Sequence, residues 1–163
     1  MMEKSPLNVL KWATVIILIF ALLSLLRKFG FLGQTDEEAN TEKLLDAPQF
    51  KPTFLTTIKQ AIAKARNKQV SQLTSSDIKL FTPSSSQMLQ WKDALINAKG
   101  IFKDDESAVY SVFKSIGSQT KLYFFNEFFK VYTKKDVVEY VSDFMNEDEM
   151  SRVYLIIKNK PLL

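Results

Sequence analysis

An N-terminal transmembrane helix joined to a small all-α domain of about five to seven short helices is the architecture this sequence predicts, on three observations. Fifteen consecutive residues without a charge, Trp12 to Leu26 (WATVIILIFALLSLL), lie near the N-terminus between Lys11 and the pair Arg27-Lys28. From Phe54 onward apolar residues recur at helical spacing, and strand-type alternation is weak throughout. Ser, Thr, Asp and Asn stand at the expected helix starts, where their side chains can accept from the free amides of a first turn.

The uncharged run alone would rise about 22 Å as a helix, short of a hydrocarbon core of about 30 Å. Adding Leu7, Val9 and Leu10 gives a mostly apolar span of twenty residues, Leu7 to Leu26. Lys11 and Arg27 can then stretch their stems to the head groups. A buried core helix would show a polar face, whereas this run offers only Thr14 and Ser24. Residues 7–32 are therefore expected to form a membrane anchor behind a short tail, residues 1–6. Trp12, Ile16, Phe20, Leu23 and Leu26 are its expected lipid contacts, with Arg27 and Lys28 at the interface. Bulky and charged residues in Arg27-Lys-Phe-Gly-Phe-Leu-Gly33 replace the small residues of a signal cleavage site, so the segment reads as a retained signal anchor. Lys4 and Lys11 before the span nearly balance Arg27 and Lys28 after it. The short leading tail favours a single-pass protein with a cytoplasmic N-terminus and a translocated domain.

Residues 33–48 carry five acids against one lysine, a composition that suits an extended acidic linker, although Leu44-Leu45 could begin a short helix. The remaining 115 residues, 49–163, are enough for one soluble helical domain with one core. The chain has no cysteine and no histidine. That removes disulfides, zinc-thiolate sites, cysteine nucleophiles, the usual general base and the commonest metal ligand together. No phosphate loop, nucleophile elbow or paired catalytic carboxylates stand out, so the sequence predicts a non-enzymatic protein without catalytic residues or cofactor.

Phe54, Leu55, Ile58, Ala61, Ile62 and Ala65 space out an amphipathic helix introduced by Pro52 and Thr53. Between residues 51 and 79 six basic residues face the single acid Asp77, a net charge of +5. From Pro83 onward eleven basic residues balance eleven acids, which concentrates the domain's basic excess in this first stretch. Lys51, Lys59, Lys64, Arg66 and Lys68 are therefore candidates for contact with an anionic polymer or membrane surface. Their bland reading is a solvated helix face. No aromatic residues interleave with them for base stacking, which argues against nucleic acid. Val70 to Thr82 reads as a connection with room for a short helix.

The later helices have legible starts. Ser84 precedes a helix with Met88, Trp91, Leu95 and Ala98 on one face, closed by Gly100. Asp104 or Asp105 caps a helix with Val109, Val112, Phe113 and Ile116, stopped by Gly117. Ser118 opens one with Leu122, Phe125, Phe129 and Tyr132. Thr133 followed by Asp136 opens one with Val137, Val141 and Phe144. Asn146 and Glu149 form a capping-box pattern ahead of Met150, Val153, Tyr154 and Ile157, and Pro161 follows the last regular element.

The succession behind Lys99-Gly100 resembles a single repeat of the annexin family. Trp91-Lys-Asp-Ala-Leu-Ile-Asn-Ala-Lys-Gly-Ile-Phe-Lys-Asp-Asp-Glu-Ser-Ala-Val109 shares the family's Lys-Gly junction, the acidic cluster and the helix after it. Tyr140-Val-Ser-Asp-Phe144 has the shape of the family's Leu-x-Ser-Glu-Leu. The resemblance covers about residues 91–160 and implies an annexin-like helical fold in the C-terminal part. It would make Gly100 and Asp143 calcium candidates, but Phe102 replaces the second loop glycine and Lys103 the threonine, so the loop is degraded and no metal site is expected.

Tyr123 to Phe129 (YFFNEFF) is the densest aromatic cluster, and its two-sided apolarity fits a central helix or one that exposes Phe124 and Phe128 to a protein partner. The acidic trios Asp104–Glu106 and Glu147–Glu149 are explained by helix capping. The expected partners are membrane lipid and a protein, not nucleic acid or a small-molecule substrate. The functional classes left are a membrane-anchored binding or scaffolding protein, a binder of an anionic polymer or membrane surface, and a phage-encoded membrane or virion structural component.

Overall fold

The computed structural model describes residues 42–100 and 104–163. The expected span Leu7–Leu26, Arg27, Lys28 and the linker as far as residue 41 lie outside the described residues, as do Ile101, Phe102 and Lys103. Among the described residues no helix is long and apolar enough to cross a membrane. Their regular structure is all helical: α1 Phe54–Ala65, α2 Ser75–Lys79, α3 Ser85–Ala98, α4 Glu106–Ser115, α5 Gln119–Thr133, α6 Val137–Ser142 and α7 Glu147–Lys158. Short 3-10 turns occupy Pro48–Phe50 and Val70–Gln72.

Local capping accounts for most helix starts. Ser84 accepts from the Gln87 amide, Asp105 from Ala108, Ser118 from Lys121, Asp136 from Glu139 and Asn146 from Glu149. Glu149 closes its box by accepting from the Asn146 amide at 2.8 Å. The first helix departs from expectation, because Thr53 is itself in helical geometry and makes no side-chain cap. Gly117 does not end α4 with a left-handed turn, nor does a glycine end α5. Ile116 leaves α4 in an extended conformation, and the left-handed residue that ends α5 is Lys134, at φ 62°.

The main core gathers Leu95, Val109, Val112, Phe113, Leu122, Phe125, Phe129, Val137, Val141, Met150, Val153 and Ile157 from α3 to α7. Leu44 and Phe50 join it, Leu44 with no exposed surface. Residues 42–45 are helical, so the linker expected over 33–48 ends earlier than drawn and the folded domain begins before Gln49. The reason is simple burial: Leu44 finds an apolar site that outweighs the cost of ordering its turn.

A second cluster is built from Phe54, Ile58 and Ile62 of α1, Tyr123 of α5, and partly buried Leu73, Ile78, Phe81, Phe124, Leu162 and Leu163. Helix α5 thus packs on both sides, with Phe125 and Phe129 in one cluster and Tyr123 in the other. Within α1 the apolar stripe runs through Ala63 and not Ala65, which is exposed. The chain folds back beside Ala63, whose carbonyl accepts from the Lys68 amide at 2.9 Å.

The final residues act as a strap. Carbonyls of Pro161 and Leu162 accept from the amides of Gln119 and Thr120, at 2.9 and 3.0 Å, and Thr120 Oγ1 donates to Leu162 at 2.6 Å. With Ser118 Oγ serving the Lys121 amide, the first three amides of α5 are satisfied. Lys160, whose ammonium group donates to the Ile116 carbonyl, is pushed below the usual lysine range by burial.

Candidate interaction surfaces

The basic stretch folds into a hairpin whose centre is Asp77. Its carboxylate is 4% exposed and accepts from Lys68 Nζ at 2.7 Å and Arg66 Nε at 3.2 Å. Thr74 Oγ1 and the Thr74 amide add bonds at 2.7 and 2.9 Å, so Asp77 is at once a capping-box residue and an ionic clamp. The Lys68 ammonium, then Thr74, hold its carboxyl well below the ordinary carboxylate range. This acid was visible in sequence only as the lone negative charge of a basic run. Thr74-Ser-Ser-Asp77, a cap residue followed three later by an acid, was the local signal for it.

The clamp sorts the five expected anion-contact residues. Arg66 and Lys68 are engaged by Asp77, and Lys51 pairs with exposed Asp46 at 3.0 Å. Lys59 and Lys64 have no acidic partner among the described residues; Lys64 is exposed and Lys59 half-buried. Exposed Lys79 belongs with them, at the end of α2. Two aliphatic side chains stand out beside these cations: Leu80 is 64% exposed and Val70 45% exposed. Neither is a member of the second cluster, although Leu73, Ile78 and Phe81 around them are.

Helix α5 presents a second surface. Phe124 and Phe128 are half-buried, the first packed in the second cluster and the second against the main core. Phe128 packs against Tyr132 at a tilt of 49° with ring centroids 4.9 Å apart, and Lys92 of α3 lies 4.8 Å from the Tyr132 ring centroid. Tyr132 and Val131 are 54% and 66% exposed, which moves the accessible apolar surface one turn beyond the residues expected to carry it.

Asp143 is held by two ammonium groups, Lys135 at 2.8 Å and Lys99 at 3.6 Å. The Lys135 bond lowers the carboxyl's pKa and raises that of the lysine. Lys99 also lies over the rings of Tyr140 and Phe144. Asp143 therefore sits beside the Lys99-Gly100 junction, but lysine cations face it. The Gly100 amide donates to Asp104 at 3.1 Å. Among the described residues no group of three or more acids is placed to hold a metal ion.

A shallow concavity of about 370 Å³ lies between residues 43–49, the start of α5 and α7, lined by Lys43, Asp46, Pro48, Gln119, Tyr154 and Lys158 among others. Its charged groups are at the surface, and no nucleophile is paired with a base there. No protein-family model, curated protein or solved structure matches the chain.

Proposed function

We propose that this chain is a membrane-anchored, non-enzymatic scaffolding protein that holds a protein partner against the bilayer through its helical domain. The observation that carries the reading is the uncharged run Trp12–Leu26 attached to a domain folded from Leu44 onward. A chain without histidine or cysteine lacks the usual means of acid-base and nucleophilic catalysis, which supports binding over chemistry. The exposed pair Val131 and Tyr132, flanked by Phe128, is the apolar surface best suited to a protein, since aromatic anchors dominate such contacts. The relation to an annexin repeat is proposed for α4 to α7 on sequence shape alone, without calcium. Affinity capture of the full chain in mild detergent tests the function. The same partner retained at low and high salt, and lost on Val131→Ser with Tyr132→Ser at unchanged melting temperature, supports it. Capture indifferent to these substitutions counts against it.

A further inference from the structure

The α1–α2 hairpin combines two features that neither the core nor the clamp uses. Lys64 and Lys79 have no acidic partner among the described residues, and Val70 and Leu80 expose apolar side chains to water. Asp77 ties them together: its bonds to Arg66 and Lys68 hold the loop that leads to Val70 against the helix that ends in Lys79 and Leu80. Each exposed aliphatic thus has a lysine one or two residues away in the chain, the arrangement of surfaces that lie at a lipid interface. Because Asp77 neutralises one of the four cations Lys64, Arg66, Lys68 and Lys79, the patch keeps a net charge of about +3.

We propose that this hairpin docks on an anionic lipid bilayer, with Leu80 and Val70 entering the head-group layer and Lys64 and Lys79 meeting lipid phosphates. The proposal rests on the membrane-anchored reading for its geometry. Between Arg27 and Leu44 the chain can reach at most about 60 Å, enough to bring the domain into contact with a bilayer that holds Leu7–Leu26. Charge complementarity selects anionic over zwitterionic lipid, and the two aliphatics select a bilayer over a soluble polyanion, which has no apolar layer to receive them.

The absence of cysteine makes the test direct, since Leu80→Cys gives the full chain one attachment point for an environment-sensitive fluorophore. Leu155→Cys on α7, 54% exposed in the parent, is the control. Both are mixed with vesicles of phosphatidylcholine, alone or with about one third phosphatidylglycerol, that carry quencher lipids. The label at residue 80 is expected to be quenched in anionic vesicles and released by salt, and the label at residue 155 to stay unquenched. Neutralising each of Lys64 and Lys79 to Gln should lower the docked-to-free ratio about fivefold, about 25-fold together. Equal quenching at both labels, equal quenching in both lipid compositions, or response to a duplex oligonucleotide but not to vesicles would overturn the proposal. Retention of the same samples on vesicles in alkaline carbonate reports the anchor separately. Lost retention with residue 80 still quenched sinks the anchor and leaves the docking, and the reverse sinks the docking alone.

Discussion

Leu44 and Leu45 are adjacent in sequence and opposite in fate, which makes them a sensitive probe of where the folded domain begins. Leu44 has no exposed surface and belongs to the main core, whereas Leu45 is 47% exposed. Replacing Leu44 by Ala removes three buried carbons, about 2.4 kcal/mol at about 0.8 kcal/mol each. The cavity left behind adds to this, within the usual range of about 2–5 kcal/mol, so about 3 kcal/mol is expected. For a domain of this size each kcal/mol moves the melting temperature by about 4 °C, giving a drop of roughly 12 °C. Leu45→Ala should stay within about 0.5 kcal/mol, or about 2 °C. The assay is thermal melting of the full chain in mild detergent, followed by circular dichroism, with both variants side by side. Indistinguishable melting of the two variants would refute the reasoning and return residues 42–48 to the tether.

Three further outcomes follow from the same structure. Asn126 is fully buried and its Oδ1 accepts from the Val137 amide at 2.8 Å, so Asn126→Ala strands the first amide of α6 and should cost about 2 kcal/mol in urea denaturation; a change below about 0.5 kcal/mol would contradict that role. Asp77 has a depressed folded-state pKa, so its stabilisation is complete above the ordinary carboxylate value of about 4 and is lost as pH falls through the lower folded value. Asp77→Asn should therefore destabilise the domain at neutral pH and flatten its loss of stability in acid; a parallel acid limb would rule the clamp out. Calcium in excess should leave the melting temperature unchanged, because Lys135 and Lys99 already face Asp143. An ion bound at 100-fold over its dissociation constant would add about 2.7 kcal/mol, and a rise of that size would disprove the lysine-held site.

The parts of the fold legible in sequence are those decided within a few residues. Ser84, Ser118, Asp136 and Asn146 each cap a helix by reaching an amide three positions on, so their role is written locally. The parts that escaped depend on distant partners. Nothing near Thr120 announces that Leu162, 42 residues later, will accept its hydroxyl, nor does the Asn126 side chain declare the Val137 amide as its donor. Leu44 sits among acids and reads as linker until the core that receives it is assembled. Lys134 takes a left-handed conformation that composition assigns to glycine. On the candidate surfaces, net charge marked the basic stretch but could not tell engaged cations from available ones. Arg66 and Lys68 turn inward to Asp77, and the apolar companions Val70 and Leu80 were masked by a segment with no clear periodicity.

The proposed anchor implies that lipid holds the first part of this chain beside a domain folded from Leu44 onward. Alkaline carbonate extraction of membranes containing the full-length protein tests it most directly, with immunodetection of both ends of the chain. Intact protein is expected to stay with the membrane pellet at high pH and high salt, conditions that strip peripheral contacts such as the one proposed for the lysine patch of the hairpin. Release of intact chain into the supernatant, with residues 1–32 still attached, would contradict it.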